Sequence, residues 1–333
     1  MKNVDKVKKY LETLKNEIDS HIKDIFPKKG VPSALYESIK YHLDIGGKRF
    51  RPAMVILSHK ALGGSSKDIL YPAAAIELLH EFSLIHDDIM DCDEKRRGKD
   101  TVWKKYGIPF AILSGDIMYA YAYHALTLSL PKIEKNAYEI FRTFTDAIIY
   151  INEGQGLDLE FESRDDVKVD EYMEMVWKKT GALIAAAMKL GALYAHADKS
   201  ICDTLWMYGK SIGPAFQIKD DLLTLVGSFD EVGKEIGNDI KQGKKTLSVV
   251  HALEYSKERK ELLSILKKDR DSKTDEDIKR AIDIIKETGS IEFSQQKATH
   301  LANDAKESLK ILEDSEAKEI LTDLTDYLIN RSS

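Results

Sequence analysis

Residues Leu84–Gly98 read LIHDDIMDCDEKRRG. An apolar run closes on three carboxylates, Asp87, Asp88 and Asp91, and two arginines, Arg96 and Arg97, follow. At ~100° per residue along a helix, Asp87 and Asp91 stand one above the other, with Asp88 beside them. Carboxylates crowded that closely repel unless a cation sits among them. Hard oxygen donors in such a cluster suit Mg²⁺, which takes one or two carboxylates and completes its shell with water and phosphate oxygens. A solvated acidic helix end looks the same when taken alone. What argues against that is a second cluster, FQIKDDLLT at Phe216–Thr224, where an apolar approach again ends in Asp-Asp.

The 333 residues leave room for one large domain or two smaller ones, and 43% hydrophobic with 32% charged residues marks a globular chain. Seven prolines permit many long helices. A net charge of −6 argues against a general nucleic-acid binder, since no basic surplus exists to neutralise phosphates, but it leaves room for a local basic pocket. Two cysteines, Cys92 and Cys202, provide no disulfide framework and point to a reducing compartment. The N-terminal MKNVDKVKKYLETLKNEIDS lacks the apolar core of a signal peptide. Gly181–Ala197 is alanine-rich but carries Lys189, and is too short for a transmembrane segment. A cytoplasmic location is the expectation.

Val4, Val7, Leu11, Leu14, Ile18 and Ile22 recur at three- and four-residue steps and predict a helix over 1–25, broken at Pro27–Gly30. A second helix over 33–44 stops at Gly46-Gly47, and Pro52 suits the first turn of a third. The run over 71–90 is apolar around most of its circumference, as befits the centre of a bundle. Further helices are predicted at 109–129, 132–161, 169–196, 201–226, 245–266, 274–289, 290–313 and 315–330, with long loops such as 227–244 between some of them. No strand alternation or repeat is visible, and Asp165-Asp166 reads as a solvated polar turn. These patterns predict an all-α fold: one helical bundle domain, 1–333, around a central cavity.

Isolated bases complement the acidic helices. Gly46-Gly47-Lys48-Arg49-Phe50-Arg51-Pro52 sets Lys48 and Arg51 three apart at a glycine-led helix start, a combination suited to an anion, although ordinary surface charge reads similarly. Arg96-Arg97-Gly98 adds planar forks that grip phosphate oxygens. Together these parts fit two diphosphates, one held through Mg²⁺ by the Asp clusters and one held directly by Lys and Arg.

At these motifs the chain closely resembles the trans-isoprenyl diphosphate synthases, the head-to-tail prenyltransferases that include farnesyl and geranylgeranyl diphosphate synthases. The resemblance runs from about Ser33 to the C-terminal helices, with the motifs in the family's order. It implies that Asp87, Asp88 and Asp91 form the first aspartate-rich motif and that Gly47, Lys48, Arg51, His80 and Arg97 bind isopentenyl diphosphate. It implies that Arg96 reaches the allylic diphosphate. EGQGLDLEFE resembles the mid-chain motif through Gln155 and Asp158, and WKKTGAL the lysine-threonine motif through Lys179 and Thr180. FQIKDDLLT resembles the second aspartate-rich motif through Gln217, Asp220 and Asp221; GKEIGNDIKQGKKT resembles the lysine-bearing loop, with Asp239, Lys244 and Lys245. One departure stands out: the family usually has aspartate where this chain has Thr224, whose hydroxyl remains able to bond a metal-bound water.

The resemblance implies Mg²⁺-dependent ionisation, condensation and elimination, with Asp87, Asp88, Asp91, Asp220 and Asp221 as ligands of three ions when substrate is bound and Mn²⁺ as a substitute. Lys179, Thr180 and Gln217 are the candidates to face the carbocation. It also implies a homodimer, with C5, C10 or C15 allylic diphosphates as co-substrates. Phe82 lies five residues, about 7.5 Å, before Asp87 along a helix, with the small Ser83 beside it. That arrangement resembles archaeal-type geranylgeranyl synthases and predicts a C20 product with Phe82 as the pocket floor; C15 farnesyl diphosphate is the runner-up. Plain core packing is the other reading of Phe82. Competing functions are a class I terpene cyclase, which needs no second diphosphate site, and a non-catalytic partner subunit, to which only Thr224 points. A closing role for Arg331 stays open.

Overall fold

The three- and four-residue steps of the N-terminal stripe put Val7, Leu11, Leu14, Ile18 and Ile22 on one face, and in the computed structural model all five are buried along helix α1 (Lys2–Ile25). The structure describes residues 2–27, 29, 31–130, 134–226 and 237–330. Each such side chain taken from water contributes about 1.5–3 kcal/mol, enough to hold α1 against its neighbours. The helices α2 (Ser33–Ile45), α3 (Phe50–Ala61), α4 (Leu70–Met90), α5 (Val102–Tyr106), α6 (Ile108–Ser129) and α7 (Ala137–Ser163) follow. Next come α8 (Val169–Val176), a π turn (Trp177–Gly181), α9 (Ala182–Tyr194) and α10 (Lys199–Val226). The remainder is α11 (Asn238–Gln242), α12 (Leu247–Tyr255), α13 (Arg259–Leu266), α14 (Asp275–Glu287), α15 (Ser290–Ser308) and α16 (Glu316–Asn330). The chain is all-α. Among the described residues no helix is long and apolar enough to cross a membrane.

The chain divides into two compact units, the first Met1–Thr145, Ala186–Asp203 and Leu312–Leu321, the second Asp146–Ala185, Thr204–Ile311 and Thr322–Ser333. In the first, α1 packs on α3 and α4, and α4 packs most intimately on α6. The reason lies in α6, whose buried face is a row of mostly small residues: Ala111, Ser114, Gly115, Met118, Ala122 and Ala125. α4 is buried almost all round, as its uniform hydrophobicity predicts. Among the described residues the second unit is built on three apolar clusters, one of them Trp177, Ala182 and Ala185 at the π turn. Leu225, Ile240, Leu253, Leu262 and Ile285 belong to another, and Phe161, Tyr172, Ile218, Leu222 and Val250 to the third.

Three predicted helices differ in detail, and one element was not predicted. The helix over 169–196 is interrupted by the π turn, and that over 245–266 breaks at residues 256–258 into α12 and α13. The stretch over 290–313 ends its α-helix at Ser308 and tightens into a 3₁₀ turn at Leu309–Ile311. Against the expectation of no strand, β1 (Lys95–Arg96) and β2 (Lys99–Asp100) form a minimal antiparallel hairpin, with α5 directly after it. Asp165-Asp166 does sit in a loop, where Asp165 takes an exposed ion pair from Lys267. Lys28, Gly30, residues 131–133, the loop positions 227–236 and Arg331 lie outside the described residues.

Candidate active site

The C-terminal turn of α4 carries Asp87, Asp88 and Asp91, with the Asp91 N–H donating to the Asp87 carbonyl at 2.8 Å. Asp88 is buried, and Arg96 of β1 closes on it: Nε reaches both carboxylate oxygens at 2.9 and 3.1 Å, and Nη2 reaches Oδ1 at 2.6 Å. Burial pushes the Asp88 carboxyl up, and Arg96 opposes it. The hairpin explains the contact. Arg97 (φ 51°) and Gly98 (φ 77°) turn the chain back on itself, which places Arg96 beside α4. Asp88 therefore has both oxygens engaged by an arginine, and Asp87 and Asp91 stand one turn apart at the same end of α4.

Gly46 caps α2 at φ 79°, its N–H donating to the Leu43 carbonyl. At Gly47 a Cβ would stand 2.9 Å from Nη1 of Arg49 and 3.2–3.3 Å from the guanidinium nitrogens of Arg97, so two cations flank this residue closely. Lys48 is exposed. Arg51 Nη1 donates to His80 Nε2 at 3.0 Å; a guanidinium has no acceptor, so His80 is the acceptor and its proton sits on Nδ1. Burial, then Arg51, hold His80 well below the ordinary histidine range, which keeps it neutral at pH 7.

Sequence reasoning passed over Arg49. It is buried at φ 53°, with Nε on Asp19 Oδ1 (2.7 Å) and Nη1 on both Glu77 Oε1 and Glu81 Oε1 (2.5 Å each). Glu81 also accepts from His42 Nε2 at 2.7 Å. The available signal was Glu77 and Glu81, spaced i,i+4 on an otherwise apolar helix, which demand a buried cation.

Phe82 is 8% exposed, its ring 4.9 Å from that of His86 and 5.5 Å from that of Tyr119 on α6. Tyr119 in turn meets Tyr123, whose hydroxyl pairs with Thr145 at 2.9 Å and whose ring lies edge-on to Phe144. Ser83 Oγ donates to the His80 carbonyl.

In the second unit one face of α10 carries Gly209, Gly213, Gln217 and Asp221 at four-residue steps. A Cβ at Gly213 would lie 2.3 Å from Cα of Gly181, so bare backbone meets bare backbone where α10 passes the π turn. Gly154 of α7 is as tightly placed, 2.3 Å from the Lys179 nitrogen by the same measure. These approaches bring the π turn's side chains among the others. Lys179 Nζ donates to Asp158 Oδ2 (2.5 Å), Thr180 Oγ1 to Gln217 Oε1 (3.1 Å), and Gln217 Nε2 to Asp221 Oδ1 (2.8 Å). Tyr172, which sequence reasoning missed, donates to Asp221 Oδ2 at 2.7 Å. Gln155 is buried on α7, one turn before Asp158. Thr224 Oγ1 lies against the Asp221 carbonyl and the Asp239 carboxylate, so the residue replacing the usual aspartate is occupied within the protein. The Lys244 N–H donates to the Asp239 carbonyl at 2.9 Å.

Desolvation, then Asp239 and Asp220 nearby, push Asp221 up to about 7. Acceptor-only oxygens so crowded that one is driven toward protonation are a donor set that a hard divalent cation suits. Among the described residues no three His, Cys, Asp or Glu side chains stand gathered in ligand geometry.

The Polyprenyl synthetase family model matches residues 32–285. The chain is 41% identical to the short chain isoprenyl diphosphate synthase of Methanothermobacter thermautotrophicus, covering 99% of each. It is 40% identical to the geranylgeranyl diphosphate synthase of Sulfolobus acidocaldarius, covering 90% of this chain and 92% of that protein. The solved structure of a geranylgeranyl pyrophosphate synthetase from Pyrococcus horikoshii is similar at a TM-score of 0.89 and 38% identity, over 99% and 98% of the two chains. With motif order, fold and identity in agreement, the chain belongs to the polyprenyl synthetase family.

Proposed function

We propose that the protein condenses isopentenyl diphosphate head to tail with an allylic diphosphate, releases diphosphate and makes geranylgeranyl diphosphate, C20. The observation that carries this reading is the dual service of α4. One helix presents Asp87 and Asp91 and also docks the basic turn, through the Arg51–His80 hydrogen bond. In this reading Lys48, Arg51 and Arg97 bind the diphosphate of isopentenyl diphosphate, with the Gly47 main chain between the flanking guanidinium groups. Asp87 and Asp91, and in the second unit Asp220 and Asp221, are the residues to hold Mg²⁺; Asp88 sets the direction of Arg96. Bound there, Mg²⁺ supplies positive charge that stabilises the departing diphosphate.

The remaining steps belong to the chain's own groups. Unit charges ~4 Å apart interact by about 4 kcal/mol at an effective dielectric near 20, so fixed cations beside the leaving group lower the barrier substantially. Lys179, held by Asp158, and Lys244 are assigned to the allylic diphosphate. Thr180 and Gln217, hydrogen-bonded to each other, are assigned to face the developing allylic cation. The double bond of isopentenyl diphosphate attacks that cation, and the proton then lost passes to the released diphosphate. Apolar walls exclude the water that would give an alcohol. The exposed apolar residues Ile108, Ile112 and Leu113 of α6 support a homodimer, and the proposal places the enzyme in the cytoplasm as a single domain.

The test is incubation of the purified chain with labelled isopentenyl diphosphate, each of the C5, C10 and C15 starters and Mg²⁺, then dephosphorylation and sizing of products. A C20 alcohol is expected. A C15 product would overturn the length assignment, and no elongation from any starter would overturn the function.

A further inference from the structure

We propose that Arg49 is a positioning residue for the isopentenyl diphosphate clamp: it fixes the turn that presents Lys48, Arg51 and the Gly47 main chain, without touching substrate itself. The inference rests on the reading that this turn binds isopentenyl diphosphate.

Arg49 is the N-cap of α3 and holds a left-handed backbone with no side chain suited to it, a conformation that persists only where its surroundings over-determine it. Here three carboxylates from two helices do so. Asp19 of α1 takes Nε, and Glu77 and Glu81 of α4 both take Nη1. The second oxygen of Glu81 continues to His42 on α2, so one guanidinium ties α1, α2 and α4 to the N-cap of α3. A lysine has the charge for this but not the fork.

Two further observations connect the knot to the clamp. Gly47 is wedged between Nη1 of Arg49 and the guanidinium of Arg97, so any displacement of Arg49 moves the Gly47 main chain and the space Arg97 occupies. Arg49 and Arg51 also dock on adjoining positions of α4, at Glu77 and Glu81 and at His80 respectively. A charge-pairing role alone would require neither link. Because Arg49 is matched by acids on every side, its own charge is spent inside the protein, and it contributes geometry to the turn where Lys48, Arg51 and Arg97 contribute field.

Asp19 offers the mildest perturbation, since it is 26% exposed and sits on a helix where alanine is tolerated. In steady-state assays of the full chain, Asp19→Ala is expected to raise KM for isopentenyl diphosphate about fivefold and Arg49→Lys about tenfold or more, with KM for the allylic substrate and kcat within twofold. Asp19→Asn keeps an acceptor for Nε and is expected to restore the wild-type KM. Thermal melting is followed in parallel. If both KM values move together, or if melting temperature falls while KM for isopentenyl diphosphate stays at wild type, Arg49 is structural only and the proposal fails. If the wild type itself does not consume isopentenyl diphosphate, it is the underlying functional reading that fails.

Discussion

Replacing Phe82 by alanine tests how product length is set. The α4–α6 register is antiparallel: His86 meets the Gly115 position, and Phe82, four residues back, meets Tyr119, four residues on. Each turn back along α4 is therefore a turn forward along α6, which brings Tyr123 level with Leu78. Four residues of helix advance about 6 Å. One isoprene unit adds four main-chain carbon bonds of about 1.5 Å, or about 5 Å when extended. Loss of the Phe82 ring thus opens room for one further unit before Tyr123, which Thr145 and Phe144 hold in place. Phe82→Ala is expected to move the main product from C20 to C25, and Phe82→Ala with Tyr123→Ala to C30 or beyond. Phe82→Ala removes a buried ring, at a cost of about 3–5 kcal/mol, so circular dichroism must first establish a folded protein. Products are sized by reversed-phase chromatography after phosphatase treatment. An unchanged C20 distribution from a folded Phe82→Ala enzyme would refute the assignment of this aromatic column as the pocket floor.

Gly213→Ala places a methyl group where the Gly181 backbone stands, and overpacking of this kind costs about 1–3 kcal/mol or more; thermal melts should show the loss, and activity should fall with it as Thr180 and Gln217 are forced apart. Glu77, pushed up to about 7 mainly by burial, holds a proton in the folded state that the unfolded chain releases near 4.5. Stability from this group accordingly falls as pH rises from 4.5 to 7; denaturant titrations across that range should show the decline in the wild type and a flatter profile in Glu77→Gln. Thr224→Asp adds a carboxylate facing Asp239, with a ceiling of about 4 kcal/mol for charges 4 Å apart at a dielectric near 20. The variant should melt lower than wild type without Mg²⁺ and gain more from its addition, and equal Mg²⁺ responses would contradict the arrangement.

Much of this was legible in the sequence because periodicity reports burial. The α1 stripe states which face is inside, and the largely apolar α4 states that most of its circumference is. The hairpin at Lys95–Asp100 was not legible, since two residues per strand give no alternation to read. The π turn was hidden for a different reason: WKKTGALIAAAM keeps a helical composition, and only the spatial demand of Gly181 and Gly213 reveals the extra residue. Charged residues were the hardest to place. Lys48, Arg49 and Arg51 look alike in the sequence, and which of them is internal depends on Asp19, Glu77 and Glu81 arriving from elsewhere. Asp88 likewise reads as an equal of Asp87 until the hairpin delivers Arg96.

The π turn at Trp177–Gly181 behaves as a phase shifter. Its wider winding accommodates one residue more than an α-helical turn, so everything after it is rotated by about 100° relative to an uninterrupted helix. Deleting a single residue there would lengthen the regular helix and improve its internal hydrogen bonding. Yet Lys179 and Thr180 would swing off Asp158 and Gln217, and the alanine-rich face of α9 would turn with them. Insertions and deletions at this point are thus all-or-nothing events for the chemistry, although point substitutions there are not, and the stretch has a fixed length for reasons that no residue-by-residue comparison of side chains would disclose.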